Sequence, residues 1–298
     1  MIVSKMPIRF LLTLILVCGQ AFSYAAENDT SPIDCSAVKT DSLLSSLPTS
    51  LPTSLPIPPT KAAPVKWNVK VHNTYPHRSN AFTQGLFYHQ DQLFESTGQY
   101  GHSSISQINI DTGEIIQHRA LKKSVFGEGI TLWDNELIQL TWKSGQVYRY
   151  SLSDFSLQKT QKIQGEGWGI THNGQSLITS NGSAQLSFRD PLSLEEQSTL
   201  NVSYLGRPLK NLNELEWVNG CILANIWQSP YIAIIDPSTG QTNGLIDLSR
   251  IVAHEQKTGT SEVANGIAWL AESQRLLITG KYWQRIYEIE LVKKPALK

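Results

Sequence analysis

Gln84-Gly85-Leu86 returns along the chain as Glu128-Gly129-Ile130, Trp168-Gly169-Ile170, Asn213-Glu214-Leu215 and Asn265-Gly266-Ile267, at intervals of 44, 40, 45 and 52 residues. A second mark follows each of these 11 to 14 residues later: Ser96-Thr97-Gly98, Leu140-Thr141-Trp142, Thr179-Ser180-Asn181, Ala224-Asn225-Ile226 and Thr279-Gly280-Lys281. Between the two marks, as in 132–140 and 170–178, side chains alternate with a period of two. Asp134-Asn135, Asn173-Gly174 and Glu272-Ser273 stand where hairpin turns belong. A third strand follows in Val147-Tyr148-Arg149-Tyr150 or Tyr231-Ile232-Ala233-Ile234-Ile235. A fourth is preceded by Asp111-Thr112-Gly113 or Asp236-Pro237-Ser238-Thr239-Gly240. Four short strands per repeat describe a propeller blade. A sandwich could use such strands but has no reason to repeat one tripeptide five times. The expected fold is all-β, a five-bladed β-propeller of four-stranded antiparallel blades over residues 65–298. Trp67, Val69 and Val71 begin a strand that completes the last blade, and 248–256 is a candidate insertion helix.

Outward from the repeats the chain changes character. Residues 30–64 are low-complexity, with Leu47-Pro48-Thr49-Ser50 and Leu51-Pro52-Thr53-Ser54 in tandem, so 27–64 is expected to be a disordered Pro/Ser/Thr-rich leader. Residues 1–26 read as a signal peptide. Lys5 and Arg9 precede an apolar run too short to span a bilayer, and Ser23-Tyr24-Ala25-Ala26 offers small residues for cleavage. Cys18 invites a lipoprotein reading, but bulky Val17 stands where a small residue is wanted. An exported, soluble protein of the periplasm or exterior is expected. Of the cysteines then left, Cys221 reads first as a buried thiol, with a bridge to Cys35 as the alternative. Twenty-five basic and 25 acidic residues give no basic stripe for nucleic acid. The seven histidines are scattered without ligand spacing, so no zinc site is expected.

In a blade the innermost strand starts at one face and the second returns to it. The two marks therefore converge on one mouth, bringing Gln84, Glu128, Trp168, Asn213 and Asn265 together with Trp142, Asn181, Trp227, Lys281 and Trp283. Several tryptophans, one acid, one lysine and several amides make a pocket with an apolar wall. The glycines of the first mark, and Tyr88, Trp133, Trp217 and Trp269 beyond it, read as packing. Glu128, flanked by Gly127 and Gly129, is an acid where other repeats carry none. Burial there disfavours its charge, which is how general acids are made, although a plain hydrogen bond to a neighbouring amide would also account for it. Lys281 could be a solvated surface lysine and Asn213 a turn cap. The flanks Gly280 and Tyr282-Trp283 favour a mouth position for Lys281.

The same residues carry a family resemblance. Phe82-Thr83-Gln84-Gly85-Leu86, Phe126-Gly127-Glu128-Gly129-Ile130-Thr131, Leu140-Thr141-Trp142-Lys143, Asn213-Glu214-Leu215-Glu216-Trp217, Asn225-Ile226-Trp227 and Gly280-Lys281-Tyr282-Trp283 occur in order over 82–291. They resemble the plant and bacterial glutamine cyclotransferases. The resemblance implies a metal-independent glutaminyl-peptide cyclotransferase, unrelated to the zinc-dependent animal enzymes. Such an enzyme turns the N-terminal glutamine of peptides and proteins into pyroglutamate with release of ammonia. By matching motifs, Glu128 would be the catalytic acid/base, and Asn213 and Lys281 would bind the side-chain carbonyl. Gln84, Phe82, Phe126, Trp142, Trp168 and Trp227 would hold the substrate. No cofactor would be required, a structural calcium at the axis staying open, and a monomer is expected. Two other readings stand beside it: a calcium-dependent propeller hydrolase using Glu128, Asn213 and Asn265, and a non-enzymatic propeller binding peptides or glycans.

Overall fold

The computed structural model describes residues 33–35 and 63–293. The expected signal peptide 1–26, and the leader 27–64 apart from 33–35, 63 and 64, lie outside the described residues. The chain enters through a long strand, β1 (Val65–Pro76). The first repeat is β2 (Thr83–His89), β3 (Gln92–Thr97), β4 (Ser104–Ile108) and β5 (Ile115–Ala120). The second is β6 (Gly127–Trp133), β7 (Glu136–Thr141), β8 (Gln146–Ser151) and β9 (Leu157–Lys162). The third is β10 (Ile170–His172), β11 (Leu177–Thr179), β12 (Gln185–Arg189) and β13 (Glu196–Asn201), trailed by a ribbon of β14 (Ser203–Tyr204) and β15 (Arg207–Pro208). The fourth is β16 (Leu212–Val218), β17 (Cys221–Ile226), β18 (Tyr231–Ile235) and β19 (Thr242–Asp247). After the inserted helix α1 (Ser249–Glu255), the fifth holds β20 (Ala264–Leu270), β21 (Arg275–Gly280) and β22 (Arg285–Lys293).

The first three repeats are separate four-stranded antiparallel sheets in chain order. The last two share one eight-stranded sheet, ordered β16-β17-β18-β19-β1-β22-β21-β20, where separate sheets were expected. The cause is the length of β1. Its Trp67–Pro76 stretch pairs antiparallel with β22, completing the fifth repeat as the alternation at Trp67, Val69 and Val71 predicts. Its start, Val65–Trp67, runs on to pair parallel with Gly244–Ile246 of β19.

Five apolar layers separate successive repeats. Leu86 and Leu93 meet Ala268 and Leu277; Phe87 and Phe94 meet Ile130 and Leu137. Ile138 and Val147 meet Ile170 and Leu177; Ile178 and Leu186 meet Leu215 and Ile222. Leu223 and Ile234 meet Ile267 and Ile278, and with that layer the five first strands touch in a closed circuit. Second and third strands are thus covered on both faces, which explains their continuous apolar runs such as Leu276-Leu277-Ile278. Fourth strands β5, β9 and β13 are largely exposed. Each fully buried Leu or Ile contributes about 1.5–3 kcal/mol. Tyr88, Trp133, Trp217 and Trp269 are half-buried against four of these layers, as packing residues should be.

The first-mark glycines allow the first strands to approach. A methyl group on Gly85 would lie 2.5 Å from the Ile130 nitrogen, and one on Gly129 would lie 2.7 Å from the Trp168 carbonyl. Cys221 is not a free thiol: it is bridged to Cys35 with Cα atoms 5.0 Å apart. The Cys35 N–H donates to the Asn219 carbonyl at the β16–β17 turn, and Ile33 is buried in the fourth–fifth layer. No helix among the described residues is long and apolar enough to cross a membrane.

Candidate active site

The first strands do more than pack. The β2–β3 ladder runs Thr83↔Thr97 and then Gly85↔Ser96, so Gln84 is skipped. The β6–β7 ladder skips Glu128-Gly129, β16–β17 skips Asn213-Glu214, and β20–β21 skips Asn265-Gly266. Such irregularities re-aim side chains. Four of the five repeats thus free a polar residue at the same end of the first strand. The third differs, because β10 starts only at Ile170 and leaves Trp168-Gly169 ahead of it. The loosened backbone is held by the second mark of the preceding repeat. The Ser96 hydroxyl donates to the Glu128 carbonyl, Ser180 Oγ to the Asn213 carbonyl at 2.6 Å, and Asn225 Oδ1 accepts the Gly266 N–H at 3.0 Å.

Together these positions open onto a cavity of about 460 Å³ lined by Phe82, Gln84, Gln99, Tyr100, Phe126, Glu128, Trp142, Trp168, Asn213, Trp227, Glu262 and Lys281. Its walls are aromatic. Phe126 meets Phe82 edge-on at 5.9 Å, Trp142 at 5.4 Å and Tyr100 at 5.5 Å, and Trp168 meets Trp227 edge-on at 5.7 Å. The Trp142 and Trp168 indole N–H groups both donate to Glu166 Oε2, at 2.8 and 3.0 Å.

The floor is polar and buried. Glu128 is 4% exposed and Lys281 5%. Burial pushes the Glu128 carboxyl well above the usual carboxylate range. Lys281 and a hydrogen bond with Gln84 pull against that shift, and Glu166 adds to it. Burial likewise lowers the Lys281 ammonium against the opposing pull of Glu128 and Glu262. Lys281 Nζ lies 4.4 Å from the centre of the Phe82 ring and forms no salt bridge among the described residues. Asn213 is buried, and among the described residues its Oδ1 has no hydrogen-bond partner. Asn265 Nδ2 donates to the Thr83 carbonyl at 3.0 Å and to Gln84 Oε1 at 3.2 Å, which leaves the Gln84 NH2 for Glu128. Glu128 therefore has the amide neighbour of the bland reading as well as the perturbed acidity of the functional one.

All nine residues that the resemblance assigns to the site line this one cavity. Three other mouth expectations fail. Trp283 is fully buried in the fourth–fifth layer with its indole N–H on the Glu262 carbonyl. Asn181 lines a separate polar recess with Arg189 and Glu196. Asn265 is fully buried and does not line the cavity, but it donates to the Gln84 Oε1 of the lining. The sequence reading missed Gln99, Tyr100, Glu262 and Glu166. Gln99 and Tyr100 directly follow the second mark Ser96-Thr97-Gly98, which was the available signal. Glu262 and Glu166 sit in connections that no repeat pattern marks. Among the described residues no group of three or more His, Cys, Asp or Glu side chains is arranged to hold a metal.

An all-β fold that gathers a buried acid, a buried lysine and a buried amide in one aromatic cavity has the groups that acid–base chemistry on a small substrate group needs. Comparison with known proteins shows the family. The model of the family described as glutamine cyclotransferase matches residues 43–291. Glutaminyl-peptide cyclotransferase of Arabidopsis thaliana is 39% identical over 232 residues, covering 76% of this chain and 72% of that protein. The crystal structure of Myxococcus xanthus glutaminyl cyclase superposes with a TM-score of 0.72 at 36% identity, over 78% of this chain and 99% of that one. The chain belongs to the glutamine cyclotransferase family.

Proposed function

We propose that this protein converts the N-terminal glutamine of peptides and proteins to pyroglutamate, releasing ammonia, with no metal in the reaction. The observation that carries the reading is the joint burial of Glu128, Lys281 and Asn213 at the floor of one aromatic cavity. In the reaction the neutral α-amine attacks the carbon of its own γ-carboxamide. A carbon–nitrogen bond closes the five-membered ring, and the carbonyl electrons move onto oxygen. Lys281 and the Asn213 amide suit that oxyanion. Glu128, once deprotonated, takes the proton from the attacking amine and delivers it to the departing nitrogen. The carbonyl re-forms and ammonia leaves. A carboxylate of ordinary acidity would be a poor base toward that amine, whereas burial makes this one more basic. Phe82, Phe126, Trp142, Trp168 and Trp227 fold the flexible side chain toward ring closure and exclude water, with Gln84 steadying the acid.

The fivefold recurrence, the five interlayer cores and the circuit of first strands support a five-bladed β-propeller as the scaffold, with the fourth and fifth blades tied by β1. The disulfide supports an oxidising location, the periplasm or the exterior after signal-peptide cleavage. One chain supplies every proposed site residue, so a monomer suffices. The calcium-hydrolase reading is disfavoured by Lys281, which would set a cation beside a cation. The test is ammonia release from Gln-peptides with and without a strong chelator. Chelator-resistant release, with a product lighter by one ammonia, is expected. Release abolished by chelation would return the calcium reading, and tight binding without conversion would favour a peptide-binding protein.

A further inference from the structure

We propose that Glu166 is a positioning residue that clamps the Trp142 and Trp168 walls of the cavity by taking both indole N–H groups on one carboxylate oxygen. The proposal rests on the cyclase reading for its kinetic part and on geometry alone for its structural part. Trp142 follows the end of β7 in the second repeat, and Trp168 precedes β10 in the third. Their indole nitrogens lie 2.8 and 3.0 Å from the same Oε2. A half-buried indole N–H is best satisfied by a protein acceptor, and a charged one binds about twice as strongly as a neutral one. A single acceptor shared by two repeats fixes the distance between two walls. The adjoining backbone is tied as well, since the Gly167 N–H donates to the Trp142 carbonyl at 3.2 Å. Each tryptophan passes the constraint on, Trp142 to Phe126 and Trp168 to Trp227. No lysine, arginine or histidine forms a salt bridge with Glu166 among the described residues, so ion pairing does not explain an acid here.

The acid has a second consequence. The charged groups facing Glu128 are Lys281 and Glu166, with the neutral Gln84 amide bonded to it, while Glu262 bears on Lys281. Glu166 is the one of these that discourages the Glu128 carboxylate, so its charge makes Glu128 a stronger base toward the attacking amine.

The experiment compares Glu166→Ala and Glu166→Gln with wild type. Indole N–H signals are read by 15N-correlated NMR and assigned through Trp142→Phe and Trp168→Phe. In Glu166→Ala two indole signals, those of Trp142 and Trp168, should move upfield and exchange faster while the others stay. KM for a Gln-peptide should rise about tenfold or more, the scale of a lost charged hydrogen bond. Glu166→Gln retains an acceptor oxygen and should recover most of the KM, yet in both variants the acid limb of kcat should move to lower pH. Unmoved indole signals would overturn the clamp whatever the activity. Moved signals with unchanged KM would overturn its role in positioning substrate. An inactive wild type would sink the cyclase reading and the kinetic role with it, and the indole signals would still decide the clamp.

Discussion

Glu128 occupies the first position of a repeat mark that elsewhere carries Gln, Trp or Asn, and its buried placement accounts for both its proposed use and its cost. A carboxyl whose folded-state acidity is weakened by burial holds its proton in the fold. Its contribution to stability is full below the ordinary carboxylate range and is lost as pH rises through the raised value. Glu128→Gln keeps the shape and removes both the proton transfer and the cost. Turnover should fall by about 10²–10⁴, while the variant melts no lower than wild type at pH 8; near-normal turnover would remove Glu128 from the mechanism. Lys281→Ala should lower kcat by about 10²–10³, with a smaller change in KM, if it meets the oxyanion. An effect confined to KM would reduce it to a binding group. These residues were legible because the repeat isolates them: a position filled five times makes its one charged occupant conspicuous. Trp283 was misplaced because a residue count ignores chain direction. Tyr282 sits at φ +60°, the Trp283 N–H returns to the Gly280 carbonyl, and the ring folds over Gly280 into the core.

Strand existence was likewise readable from period and turn residues, and the candidate helix at 248–256 is α1. The skipped ladder positions were not, since a bulge arises from how two strands meet and leaves no composition of its own. Buried acids beside those positions give the strands opposite pH responses. On β3, burial alone would push Glu95 up, but His77 at 2.9 Å, Arg78 at 2.6 Å and the Thr83 hydroxyl hold it at about 2. A depressed carboxyl contributes stability above its unfolded value of about 4.3, and loses it as pH falls toward 2. On β16, Glu214 reaches from the fourth repeat to the Leu86 N–H of the first at 3.3 Å, and its Oε2 has no partner among the described residues. Burial, then Glu216, push Glu214 well above the carboxylate range, and burial pushes Glu216 to about 8. Raised carboxyls have the reverse sign: stability is full at acid pH and drains as pH rises, by up to about 1.4 kcal/mol per pH unit for each group. Urea midpoints at pH 5.5 and 8.5 should therefore fall with pH in wild type and fall less in Glu214→Gln. Equal falls would show that Glu214 carries no proton into the fold.

At the scale of the molecule, the repeat predicted the layers between units but not how the last two units join, because β1 spends its first three residues on a parallel pairing that no periodicity marks. The disulfide was hidden for a related reason. Cys35 stands in a stretch whose composition reads as spacer, and only the fold reveals Ile33 in the core and Cys35 against Asn219. The bridge ties a segment ahead of the ring to the β16–β17 turn, 186 residues along the chain. Closing so long a loop restricts chiefly the unfolded chain, and native disulfides typically contribute about 2–4 kcal/mol. For a domain of this size that corresponds to roughly 5–15 °C in melting temperature. Cys221 is at the turn end of β17, whereas Trp227 follows the opposite end at the cavity. Cys35→Ser should therefore melt lower by that amount, and reduction of the wild type should bring it to the same temperature. At 25 °C, well below either melt, kcat and KM should stay unchanged. If Cys35→Ser melts with the oxidised wild type, the bridge does not hold the ring. If it keeps its melting temperature but loses turnover, the segment at 33–35 acts on the cavity through a route that bypasses global stability.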